Sequence, residues 1–402
     1  MSYAGAAALP EPVRPDHVPV ELLRDFDHHT DPEFLAEPFE YLERFRDQRV
    51  IFSTAWGGFW VPTRAEDIRE AYQRPDVFSN YPGGLPVREG APPMIPEELD
   101  PPDHTKYRRA VSGMFSPRRV KELEDGIRKL AAELVDEASG KDSIDLVDDF
   151  AVPLPTRIFM ARLGLPLENA DLFVEWNNTL LHALGEDKQR ANHEVGDFLR
   201  KLVAERAANP QDDWISEMLA TEVDGVPLDP DTVVGITFLF FLAGLETVTA
   251  GTTFAFNFLA RSPEHRAKLA ADPESAPKAV EELLRYFSFT NIARRVTQDV
   301  HFAGVDMRAG DRILLCNSLV SRSPSENDRH DVVDFDRAAP RHSAFGMGPH
   351  RCLGSHLARL ELGIALELWH KKIPEYTVAD GAVIDMWGGT NMAIKHLPLK
   401  LG

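Results

Sequence analysis

The chain has 402 residues, 43% of them apolar, and a formal net charge of −20. That length allows a large core, and that charge excludes a phosphate-backbone partner such as nucleic acid. The two cysteines, Cys316 and Cys352, exclude a disulfide framework or a cysteine-rich zinc site and fit a reducing cytosol.

Residues 1–30 carry prolines at 10, 12, 15 and 19 and no charged-then-apolar secretory pattern. They read as an irregular leader, and 31–402 as one domain. A helical stretch follows near 33–47. Val50 to Ser53 and Phe59 to Pro62 flank Gly57-Gly58 and read as a hairpin. Thr63-Arg64-Ala65-Glu66 reads as a capping box opening a helix to about Tyr72. Residues 78–102 are dense in proline and glycine, and a loop that long is either functional or disordered. Leu85, Val87, Met94 and Ile95 give it apolar faces, which favours function.

From 103 to 221 the pattern is mostly helical. One long helix is expected over 229–261, with Asp229 as N-cap and Pro230 as its first residue. Its apolar run, 233–245, falls short of the ~20 residues of a membrane helix, so a buried helix and no membrane partner are expected. Helices near 263–271 and 276–287 follow. Residues 292–315 alternate as short strands, with turns at Ala303-Gly304 and Ala309-Gly310. An irregular segment, 321–351, a last helix to about Lys372, and strands near 376–379 and 394–400 close the chain. The fold class is mainly α (α+β): a large helical part with a small strand-rich lobe.

Five groups of residues carry chemistry. In Phe345-Gly346-Met347-Gly348-Pro349-His350-Arg351-Cys352-Leu353-Gly354, three glycines let backbone N–H groups approach one sulfur. The helical pattern starting after Cys352 would lower its thiol pKa. A buried cysteine acting as a small hydrophobe is the plainer reading, and the glycines argue against it. In the long helix, Ala243-Gly244-Leu245-Glu246-Thr247 puts small residues where something flat could approach the backbone. Helix packing, with the Thr247 hydroxyl bonded to the Ala243 carbonyl, explains the same run. Glu282 and Arg285, three apart among Val280, Leu283 and Leu284, read as a sheltered ion pair. His104 and Arg108, four apart, share one helix face. Arg294-Arg295 lies in a predicted strand.

These motifs, in this order, resemble the cytochrome P450 family over about residues 17–400. The soluble bacterial members are most similar, and the camphor hydroxylase branch in particular. Arg157-Ile158-Phe159-Met160 and Ser262-Pro263-Glu264-His265-Arg266 carry that likeness too. The resemblance implies heme b, with Cys352 as axial iron ligand and Phe345, Gly346 and Gly354 shaping its loop. It implies that Ala243 faces the heme, that Thr247 hydrogen-bonds dioxygen, and that Glu246 relays protons. It makes His104, Arg108, Arg294 and His350 propionate partners, with Arg295 as the competing register. It joins Arg337 to Glu282 and Arg285 in a structural triad. The substrate wall would include Leu85, Met94, Phe240, Ala243, Thr290, Asn291, Ile292, Asn391 and Met392. Pro92 stands where camphor hydroxylase carries a tyrosine, which counts against camphor itself. A histidine ligand is the competing reading, but His350 and His356 do not explain three glycines around one sulfur.

The implied activity is monooxygenation of a small to medium apolar, terpenoid-like molecule in the cytoplasm. Electrons would come from a [2Fe-2S]-type ferredoxin served by an NAD(P)H-dependent reductase. That donor would dock on a monomer through Arg69, Lys106 and Arg109. The alternatives are a heme gas sensor and a hydrogen-peroxide-dependent peroxygenase. A peroxygenase would carry Arg and Pro in place of Glu246 and Thr247.

Overall fold

Asp229 caps the helix that organises the molecule. Its Oδ1 accepts from the Thr232 N–H at 2.9 Å and its Oδ2 from the Thr232 hydroxyl at 2.6 Å. Pro230 then opens a 32-residue helix, Pro230–Arg261, about 48 Å long. In this computed structural model, residues 14–87, 91–183 and 185–402 are described. The helix is long and apolar enough to span a membrane, yet 78% of its most apolar window is buried. It is a core helix. Val233 to Leu245 belong to one apolar cluster and Val248 to Ala260 to another. Residues 243–247 therefore lie where the two clusters meet.

Helices surround this axis: Pro117–Ser139, Pro153–Arg162, Ala170–His182, Gly185–Ala208 and Ser355–Lys372. A six-stranded sheet forms the other side. Its order is Leu23–Arg24, Val50–Ser53, Phe59–Pro62, Arg312–Cys316, Asn291–Val296, Phe78–Ser79. Val50 pairs with Pro62 across the predicted hairpin, whose turn holds Gly57 and Gly58 at φ 85° and 93°. Those angles favour glycine. Ile292 to Arg295 pair antiparallel with Leu315 to Arg312.

Four expectations need correction. The stretch 33–47 is two short helices, Pro32–Ala36 and Pro38–Glu43, because a proline disfavours helical backbone at the residue before it. Thr63 caps no helix. Its hydroxyl donates to the Gln48 carbonyl, so it finishes the hairpin instead. Ser143–Asp145, within the stretch read as helical, is a strand paired with Pro398–Leu401. Residues 14–30 are built into the fold rather than draped over it. Leu23–Arg24 adds a strand parallel to Val50–Ser53, and Val18, Phe26 and His28 are buried. Residues 1–13 of the expected leader lie outside the described residues.

Candidate functional site

Two glycines of the cysteine loop are required by the backbone. Gly346 and Gly348 sit at φ 63° and 69°, and a Cβ on Gly348 would lie 2.3 Å from the Tyr72 carbonyl oxygen. Gly354, at φ −80°, serves otherwise: its N–H points at the Cys352 sulfur as the helix Ser355–Lys372 begins. The Cys352 N–H donates to the Phe345 carbonyl at 2.8 Å, closing the loop. Cys316 is buried and its thiol is pushed up to about 12 by burial, whereas Cys352 borders a cavity. The expected lowering of the Cys352 thiol does not hold. Burial pushes it up, and the Gly354 N–H and Arg108 only partly offset that. A coordinated metal would deprotonate it outright.

The cavity holds about 390 Å³. Cys352, Phe345, Gly346 and Gly354 form one wall, and Ala243, Glu246 and Thr247 of the long helix form the facing one. Leu85, Met94, Phe240, Thr290, Ile292 and Asn391 also border it, as expected from the sequence. Asn291 and Met392 do not. Along the strand, alternate side chains face opposite ways. Thr290, Ile292 and Arg294 therefore line the cavity, while Asn291 turns away and donates to the Gly389 carbonyl at 3.1 Å. Met392 is 1% exposed and belongs to the core.

The same alternation decides between the two arginines. Arg294 is buried on the cavity wall, above the Tyr72 ring at 5.5 Å, and among the described residues bonds only to a backbone carbonyl. Arg295 reaches outward to the Tyr81 carbonyl. Arg108 and His350 also border the cavity, and Arg108 donates to the Arg351 carbonyl. His104 lies one ring further back, tilted against His350 with centroids 4.0 Å apart and planes at 42°. Among the described residues, all four ring nitrogens of this pair are buried without a hydrogen-bond partner. Burial, then His350 and Arg108, pushes His104 down to about 4.

These residues fit heme b. Buried polar groups are normally satisfied, and here two imidazoles and a guanidinium cluster on one wall with unused capacity. Two carboxylates of a flat cofactor would supply the acceptors, with a thiol on the same cavity for its iron.

On the facing wall, the Thr247 hydroxyl donates to the Ala243 carbonyl at 2.7 Å. Glu246 is hydrogen-bonded on one oxygen and meets a charge contact on the other. Oε2 accepts from Asn391 Nδ2 at 2.9 Å, and Oε1 makes an ion-pair contact with His182 Nε2. The Glu282 and Arg285 pair is fully buried, with Arg337 Nε 2.9 Å from Glu282 Oε2. Arg285 also donates to the His330 and Val332 carbonyls, so the triad ties the irregular segment to the helix Ala276–Tyr286.

Sequence reasoning missed several wall residues. Tyr72, whose hydroxyl donates to Asn317 Oδ1 at 2.9 Å, ends an ordinary amphipathic helix and carried no signal. Glu97 faces His350 at 3.8 Å. Burial pushes its carboxyl up, but His350, Arg294 and His104 outweigh this and hold it below its usual value. Trp214, Phe115 and Phe159 add aromatic wall. His29, His182 and Lys188 reach the cavity from segments with no motif.

Two of the three expected docking cations are compensated. Arg69 pairs with Glu326 at 2.5 Å, and Lys106 lies 3.2 Å from Asp103 and 3.9 Å from Asp224. Arg109 is exposed and has no ion pair among the described residues.

Comparison with known proteins agrees with this geometry. The family model described as Cytochrome P450 matches residues 157–369. A probable cytochrome P450 127A1 of Sinorhizobium fredii is 35% identical over 96% of each chain. A steroid C26-monooxygenase of Mycobacterium tuberculosis is 32% identical, covering 82% of this chain and 91% of that one. The crystal structure of CYP101J2 superposes with a TM-score of 0.89 at 29% identity, covering 97% of this chain and 99% of that one. That of CYP101C1 gives 0.89 at 30%, covering 97% and 100%. The chain belongs to the cytochrome P450 family and is a heme b monooxygenase.

Proposed function

We propose that this chain hydroxylates a small to medium apolar, terpenoid-like substrate with electrons from a [2Fe-2S] ferredoxin and an NAD(P)H-dependent reductase. One observation carries the reading: the thiol of Cys352 faces the Ala243–Thr247 segment across a single, mostly apolar cavity. When bound, heme b supplies activation of dioxygen and insertion of one oxygen atom into a C–H bond. Cys352 would hold its iron, and a thiolate ligand favours O–O cleavage. Arg108, Arg294 and His350 would take the propionates, with His104 supporting His350 from behind.

The remaining residues bind, orient and move protons. Phe240, Leu85, Met94 and Ile292 would hold an apolar substrate and exclude water. Thr290 is the polar contact. Asn317 Nδ2 donates to its hydroxyl oxygen at 2.6 Å, which leaves the Thr290 proton for a substrate oxygen. Thr247 and Glu246 would carry protons to dioxygen.

The uncompensated Arg109 and the exposed Arg351 beside Cys352 support donor docking on this face. An otherwise acidic surface would repel an acidic donor elsewhere. A cytoplasmic, monomeric protein is the corresponding reading. Reconstitution with ferredoxin, reductase and a terpenoid panel tests it. A low- to high-spin shift and a hydroxylated product are expected, with turnover slowed in R109E. A panel giving neither shift nor product would overturn the substrate class. R109E turnover with unchanged salt dependence would overturn the docking face.

A further inference from the structure

Thr290 and Asn391 stand opposite each other across an isolated antiparallel bridge. The Asn291 N–H donates to the Thr390 carbonyl at 2.7 Å, and the Met392 N–H to the Phe289 carbonyl at 3.0 Å. Those bonds flank the pair, which is therefore of the non-hydrogen-bonded kind. In such a pair the side chains share one face, with Cβ atoms about 4.5–5.5 Å apart. That face is the cavity wall, which both residues border. Among the described residues no hydrogen bond joins the two side chains; each is committed elsewhere.

The two commitments are opposite in kind. The Tyr72 hydroxyl has Asn317 Oδ1 as its one hydrogen-bond partner among the described residues. Burial pushes the Tyr72 pKa up, so the hydroxyl keeps its proton and donates it there. This turns Asn317 Nδ2 towards Thr290, whose hydroxyl oxygen it meets at 2.6 Å. Thr290 is left with a proton that no described residue accepts. Asn391 is fixed in the reverse sense. A carboxylate only accepts, so the amide turns Nδ2 to Glu246 Oε2, 2.9 Å away. Its Oδ1 then receives no hydrogen bond among the described residues.

We propose that Thr290 and Asn391 bracket a hydroxyl group as donor and acceptor, so that the substrate is an apolar alcohol. This rests on the reading of the cavity as the site of a small terpenoid-like molecule, and it adds the group that orients that molecule. A hydroxyl oxygen accepts from Thr290 while its proton goes to Asn391 Oδ1, and both wall groups are satisfied. A ketone or ether oxygen accepts from Thr290 and leaves Asn391 Oδ1 unpaired. A hydrocarbon leaves both unpaired. An unpaired polar group in an apolar cavity costs more than the bond returns when made. A site built to bond a hydroxyl therefore rejects the analogue that lacks it. Any water bridging the pair is displaced without loss only by a group that reproduces both bonds, as a hydroxyl does. Tyr72 and Asn317 are positioning residues here, acting through Thr290 by setting the direction of its proton.

The test uses two matched probe sets on the ferric holoenzyme: menthol, menthone and p-menthane, then borneol, camphor and bornane. Dissociation constants are read by spin shift and by calorimetry, so a ligand silent in one is seen in the other. In a set that binds, the alcohol should bind at least about fivefold tighter than the ketone and the hydrocarbon, as one further hydrogen bond gives. Asn391→Leu should remove the advantage over the ketone. Thr290→Val should cut the advantage over the hydrocarbon, and Thr290→Ser should keep it. Tyr72→Phe frees Asn317 to turn and should act like Thr290→Val with Thr290 still in place. These are ratios within one variant, so a general loosening of the site cancels. Wild-type constants equal within about twofold across a set would overturn the inference and leave the terpenoid-like reading standing. An alcohol preference that survives both Thr290→Val and Asn391→Leu would also overturn it. If no member of either set binds, the terpenoid-like reading fails and the inference falls with it.

Discussion

The Thr247 hydroxyl donates its proton to the Ala243 carbonyl, 2.7 Å away and one turn earlier. Both residues border the cavity. The bond holds the hydroxyl at the cavity wall and uses its proton, so its oxygen keeps the capacity to accept. Local helix chemistry and catalytic placement are thus the same contact.

Thr247→Val keeps the branched shape and removes the hydroxyl. Substrate binding and the ferrous–CO spectrum should be unchanged, while product per NADH falls at least ~10-fold, with oxygen lost to peroxide. Thr247→Ser should restore most of the coupling. Full coupling in the valine variant would contradict the assignment.

Glu282 is itself buried and holds two arginines, Arg285 fully buried and Arg337 partly exposed. Glu282→Gln leaves their charges uncompensated. The expected loss is about 3–5 kcal/mol of stability in urea unfolding, as for breaking a buried pair. A change within about 0.5 kcal/mol, typical of an ordinary surface substitution, would show that the triad is not structural.

Glu361 sits on the cavity wall, 3% exposed, with one carboxylate oxygen unpartnered. Burial pushes its pKa up to about 8. The folded protein then holds a proton that the unfolded chain releases above its ordinary carboxylate value. Stability should fall as pH rises from about 5 towards 8, by up to about 1.4 kcal/mol per unit from this group alone. Glu361→Gln should flatten that slope, which denaturant titrations at pH 5, 6, 7 and 8 would read. An unchanged slope would contradict the neutral buried acid.

Much of this was legible in the sequence where one local pattern did one job. Asp229-Pro230 fixed the start of the long helix, and the glycines around Cys352 marked a loop that only glycine can form at 346 and 348. Strand alternation places Thr290, Ile292 and Arg294 together on the wall. Applied strictly, it would have removed Asn291 and chosen Arg294 over Arg295. What was not legible came from distant contacts. Tyr72, Glu97 and His182 reach the site from ordinary helices and loops, and nothing near them in sequence signals the neighbour they meet. The thiol of Cys352 was misjudged because helix polarity was weighed without burial, and burial is the larger effect. Thr63 matched a capping pattern, but the Gln48 carbonyl claimed its hydroxyl first.

The central claim is iron ligation by Cys352, and the ferrous–CO spectrum of wild type beside Cys352→Ser tests it most directly. The account predicts the thiolate-type Soret band of a cysteine-ligated heme in the wild type, absent from the serine variant. The same band in both proteins would contradict it.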